Sequence, residues 1–125
     1  MKADFLDSHN RHWLDGEKLF RYGRWANADH LYGIAAECGL KALMKLFGMG
    51  IDISTGAPSA KDDKVHIPKI WNRFDSYRSG IQAISYSLPE NPFRDWDISQ
   101  RYTNESYFQE SNVRPHREGS LVVRK

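Results

Sequence analysis

A single cysteine, Cys38, stands in the 125 residues, so an intrachain disulfide and a cysteine-based zinc site are both excluded. No apolar run approaches the roughly 18 residues that cross a bilayer, so no membrane span is expected. With 9 glycines and 5 prolines the chain is neither collagen-like nor of low complexity. Alternating apolar and polar residues, the mark of a half-buried strand, are nearly absent. Neither sign of charge dominates, and a net +2 is too weak to announce a nucleic-acid partner by itself. The opening Met1-Lys2-Ala3-Asp4-Phe5 holds no apolar stretch of signal-peptide type, which sets a cytoplasmic expectation.

What is present suits one folded domain over residues 1–125. Hydrophobic residues make up 40% and aromatic residues 13%, with 4 Trp and 6 Tyr. Chains of this size bury roughly two-thirds of their unfolded surface, enough for a core without staples. The spacing of Phe5, His9, His12, Trp13 and Phe20 predicts a first helix over 3–22, closed by Gly23. A second helix is predicted over 24–47, with a stripe of Leu31, Ile34, Ala35, Cys38, Ala42 and Leu46. Gly33 and Gly39 within it suggest close approach of another helix. Residues 48–65 break the pattern and read as a long, mobile loop without convergent chemistry.

Pro68 opens a third predicted helix over 67–88, where Ile67, Ile70, Trp71, Phe74, Tyr77, Ile81, Ile84 and Leu88 keep helical spacing and Gly80 suggests a bend. Residues 93–110 fit neither period, and a short turn is expected near 95–101. Ser111 or Asn112 then caps a final helix from about Val113, with Pro115 in its first turn. That helix is still amphipathic at Lys125 and reads as cut short. The fold class is therefore all-α, a bundle of four to five helices with a long loop between the second and third.

Few residue patterns carry chemistry. His9, His12 and Asp15 have metal-ligand spacing on a helix, but such pairs are common, and no metal is assigned. Cys38 on an apolar stripe reads as a buried structural thiol. No Gly-x-Ser-x-Gly turn and no phosphate-binding glycine loop occurs, and no cofactor is implied. Glu37 and Lys41 form an ion pair at helical spacing; if Glu37 is buried, His30 or Arg101 is its expected cross-helix partner.

Residues 111–125 carry Arg114, Arg117, Arg124 and Lys125 against one acid, Glu118. Arg114 and His116 fall where a helix amino end offers free N–H groups to an anion. Arg101 and Tyr102 add a cation and a ring. The mix suits single-stranded RNA, cations for phosphate and rings for bases.

The stretch from Arg24 to Leu43, with its small residues, mid-helix Glu37 and following Leu40-Lys41-Ala42, resembles the second helix of the HEPN superfamily. His66-Ile67-Pro68-Lys69-Ile70 resembles the start of that family's next helix, and Trp96 to Tyr102 its Arg-Tyr element. The resemblance implies an α-helical bundle, homodimerisation and binding of RNA or a nucleotide. It also implies a role beside a nucleotidyltransferase in toxin–antitoxin or defence systems. Ribonuclease members carry Arg, four to six residues, then His near the start of the last helix. Here that region reads Arg114-Pro115-His116, and the literal match, Arg24 to His30, falls on the second helix.

Three functions follow. The first is an RNA- or nucleotide-binding module holding phosphate with Arg101, Arg114, Arg117 and His116, Tyr102 stacking and His30 and Glu37 in support. The second is a metal-independent endoribonuclease in which His116 is the catalytic acid or base beside Arg101 or Arg114. The third is a protein-interaction module without nucleic acid.

Overall fold

The computed structural model describes residues 1–77 and 88–124. Its helices are α1 (Phe5–Arg21), α2 (Trp25–Leu46), α3 (Ile67–Arg73) and α4 (Glu110–Arg124). Short 3-10 turns lie at Lys61–Asp63, Phe74–Tyr77, Ile98–Tyr102 and Glu105–Tyr107. No strand occurs among the described residues, and none of their helices is long and apolar enough to cross a membrane. The third helix is shorter than its spacing predicts. After Arg73 the backbone tightens into a 3-10 turn, and the expected continuation through Gly80, Ile81 and Ile84 lies outside the described residues.

Asp4 caps α1 by accepting from the Asp7 amide at 3.0 Å. Gly23, with φ at +72°, reverses the chain so that α2 returns along α1. α2 is the central element and packs against α1, α3 and α4. Its burial is therefore not one stripe. Ala28, Tyr32, Ala35, Ala36, Leu40 and Met44 are all buried, whereas Leu46, placed on the stripe by spacing, is 77% exposed at the helix end.

One part of the core joins Leu40, Met44, Ile67, Ile70, Trp71, Phe74, Phe93 and Trp96; another joins Trp13, Ala28, Tyr32, Ala35 and Val113. The α2 glycines do admit close neighbours. A Cβ at Gly39 would meet Val123 of α4 at 2.6 Å and His9 of α1 at 2.8 Å. His9 is buried there, with Nδ1 at 2.7 Å from the Ala35 carbonyl, which makes it a core histidine.

The link between α2 and α3 is not featureless. Ile51 bridges Pro58, the Ala3 amide donates to the Thr55 carbonyl at 2.7 Å, and the Lys61–Asp63 turn buries Asp63. Asp63 accepts from the Arg73 guanidinium at 3.0 Å and from the Tyr77 hydroxyl, pinning the link to α3 and the turn after it.

α4 begins three residues before the expected Val113, at Glu110. Asn112 does not cap from outside but sits in the first turn, its Oδ1 reaching back to the Gln109 amide at 3.0 Å. Pro115 consequently lies inside the helix rather than in its first turn. The Ser111 carbonyl it cannot bond belongs to an exposed residue, so the lost helical bond falls on the solvent side of α4.

Cys38 is 8% exposed, and burial, followed by the charge of Glu37, pushes its thiol up to about 12. The folded protein is accordingly expected to resist an iodoacetamide or disulfide reagent near about pH 8 and to react only on unfolding. Fast labelling of native protein would contradict this burial.

Candidate functional site

The first turn of α2 carries neither a side-chain cap nor an acid. Its first intrahelical bond runs from the Ala28 amide to the Arg24 carbonyl at 3.0 Å. The N–H groups of Trp25, Ala26 and Asn27 therefore lack helical acceptors and bring the positive end of the helix dipole to the surface.

The facing wall is the segment 93–108. Asp97 starts its first turn by accepting from the Ser99 amide at 2.8 Å, while Gln100 Oε1 accepts from the Asp97 amide at 3.1 Å. Asn104 starts the second turn by accepting from the Ser106 amide at 2.9 Å.

Asp29 fastens this wall to α2. It is 1% exposed, and its carbonyl accepts from the Trp96 indole at 3.0 Å. Its Oδ2 accepts from Gln100 Nε2 at 2.5 Å, and its Oδ1 lies 2.5 Å from His116 Nδ1. The other ring nitrogen, Nε2, lies 2.7 Å from Asp95 Oδ1. His116 is thus clasped between a buried and an exposed carboxylate, with its ring stacked on Phe93 at 5.2 Å and 13°. Burial alone would lower the pKa of His116, but Asp29 and then Asp95 outweigh it, and the net shift is upward.

Between wall and helices runs a cleft of two adjoining hollows that share Gln100, Thr103 and Phe108. The larger, about 430 Å³, lies at the amino end of α2 and takes in Arg24, Trp25, Arg101 and Glu105. The smaller, about 260 Å³, takes in Asp29, Asp95, Asp97, Tyr107 and His116. One end of the cleft is cationic and the other acidic.

The expected anion site at the start of α4 does not form as anticipated. Arg114 donates to Glu110 at 2.9 Å and lies over Phe20. Arg117 lies over the same ring and donates to Glu17 of α1 at 2.9 Å. Both face away from the carboxylates that hold His116, because residues 114 and 117 share a helix face that 116 does not. Arg101 lines the larger hollow beside an exposed Tyr102, its guanidinium 4.9 Å from that ring.

His30 stacks on Trp96 at 5.9 Å, and its pKa is lowered first by burial and then by the charge of Arg101. Glu37 is buried, but neither expected partner reaches it. It takes Lys41 at 3.1 Å and His66 of the α3 amino end at 2.9 Å, since α3 packs against that stretch of α2. Asp29, Asp95 and Gln100 are not among the residues that the sequence marks, and Arg24 is marked there only through its spacing to His30. Asp29 stands between polar Asn27 and His30, so its burial has no local signal and is set by the packing of distant segments on α2.

No protein-family model, no curated protein and no solved structure matches this chain.

Proposed function

We propose that the cleft binds a nucleotide or a short single-stranded RNA segment, with phosphate at its cationic end. One observation carries this reading: Arg24 and Arg101 reach the same hollow from opposite walls. Neither has a carboxylate partner among the described residues, and the hollow opens onto the free N–H groups of α2. A guanidinium forks onto phosphate, and a helix amino end adds aligned donors and partial positive charge. Trp25 in the lining and exposed Tyr102 beside it offer rings for a base, and Glu105 is the one acid of that hollow among the described residues. At about 430 Å³ the hollow falls within the roughly 300–1,000 Å³ of small-ligand sites.

The all-helical fold agrees with the HEPN resemblance, which belongs to this proposal. Homodimerisation, a toxin–antitoxin or defence role and a nucleotidyltransferase companion are proposed on that resemblance alone. Binding is favoured over cleavage by His116, because both of its ring nitrogens already face carboxylates and a phosphate there would meet Asp95 and Asp97.

Fluorescence anisotropy of a labelled single-stranded RNA at rising salt tests the reading. Arg24→Ala and Arg101→Ala are each expected to weaken binding about tenfold and to reduce the salt slope by about one. Arg114→Ala, already paired with Glu110, is expected to leave the slope unchanged. Unaltered slopes in both cleft variants would remove the cleft from the site.

A further inference from the structure

The clasp around His116 has a chemical requirement of its own. An ionised carboxylate only accepts hydrogen bonds. Contacts of 2.5 Å to Asp29 and 2.7 Å to Asp95 therefore need a proton on each ring nitrogen, which is the imidazolium. We infer that His116 is a proton-operated latch on the cleft: charged, it ties the 93–108 wall to α2 and α4, and neutral, it releases the wall at Asp95.

The two carboxylates are not equivalent. The Asp29 side chain is 2% exposed and is also held by Gln100, so it stays in place. The Asp95 side chain is 79% exposed, and His116 is its only bonded partner among the described residues. When the ring loses one proton, Nδ1–H remains on buried Asp29. The Nε2 lone pair then faces the Asp95 carboxylate, a repulsive pairing that the exposed side chain escapes by turning into water. Asp95 stands two residues before Asp97, which starts the turn carrying Gln100 and Arg101. Loss of the clasp is thereby felt along the wall of the cationic hollow.

The charged groups facing the ring are Asp29 from α2 and Asp95 from the wall, with Asp97 in the same hollow; Phe93 adds a neutral face. On α4 itself Arg114 and Arg117 turn to Glu110 and Glu17, and α1 and α3 contribute no residue to that hollow. The direction of titration agrees with the geometry. The folded pKa is raised, so the stabilisation is fully present below the unfolded value of 6.5 and is lost as pH rises through the folded one.

The effect on ligand rests on the function proposed above; the effect on the wall does not, and the test separates them. Nitrogen-detected NMR follows the His116 ring while hydrogen exchange gives amide protection factors at about pH 6 and about pH 9. In the wild type, amides of 97–107 are expected to lose protection about tenfold as His116 loses a ring proton, with α1 unchanged. In Asp95→Asn the amide group can donate to a neutral ring, so the pH dependence of the wall disappears. A ring that does not titrate in this range overturns the latch. So does a titrating ring with unchanged wall protection, or a variant that tracks the wild type.

In parallel, RNA affinity is expected to fall about tenfold over the same range in the wild type and to stay level in Asp95→Asn. PH-dependent wall protection without RNA binding at either pH sustains the latch and overturns the proposed function instead.

Discussion

Gly33→Ala is expected to destabilise the protein by about 3 kcal/mol, although alanine gains roughly 1 kcal/mol over glycine within a helix. A Cβ at this position falls 2.1 Å from Trp96 Cε2, 2.3 Å from Nε1 and 2.4 Å from Cζ2, far inside contact distance. The indole has little room to yield. It is 2% exposed, stacks on His30 and spends its N–H on the Asp29 carbonyl. Displacing it adds a lost hydrogen bond, about 1 kcal/mol, to the overpacking strain. Urea unfolding at constant slope measures the change. Gly16→Ala is the control, since its nearest neighbour, Tyr32, lies at 3.2 Å at the edge of a ring. Equal losses in the two variants would show that the clash with Trp96 is not decisive.

Asp29→Ala is expected to cost more, about 3–5 kcal/mol, because it strips one partner from a buried charge. The carboxylate serves His116 and Gln100 together, and its backbone already holds Trp96. Its removal leaves the buried imidazole with the exposed Asp95 alone, so the ring is expected to titrate at lower pH than in the wild type. Asp29→Asn keeps the shape and fails on charge, which sorts electrostatics from packing. Combining Asp29→Ala with His116→Gln should cost less than the two changes summed, since the second removes the charge stranded by the first. Strict additivity in denaturant melts would mean that the pair is not coupled.

Local spacing revealed a good part of this molecule. The helical class, the turn at Gly23, and the buried Trp13, Ile67, Ile70, Trp71 and Phe74 follow from period and propensity, which act over a few residues. Gly33 and Gly39 could be read as sites of close approach, though not what approaches: Trp96 lies far along the chain. Leu46 keeps the spacing of the α2 stripe yet is exposed, because a central helix is covered from several sides and then emerges at its end.

Much of the site escaped for the same reason. Arg114 and His116 look like neighbours in sequence, yet a helix turns them apart, and each finds an acid first. Glu110 at four residues' spacing was a visible warning for Arg114, whereas Glu17 for Arg117 and Asp29 for His116 are tertiary facts. Arg101 and Tyr102 do border the larger hollow or stand beside it, but the helix end they adjoin belongs to α2 rather than α4.

Asp29 and His116 are 87 positions apart, and Gln100 is 71 from the same carboxylate. Contacts of such separation close large loops and raise contact order, so they form late on a folding route. On the ribosome the α1 and α2 segments emerge before the α4 segment, so the clasp waits for that segment. Until then a nascent chain carries Asp29 without His116, and the wall is not yet fastened at Asp95.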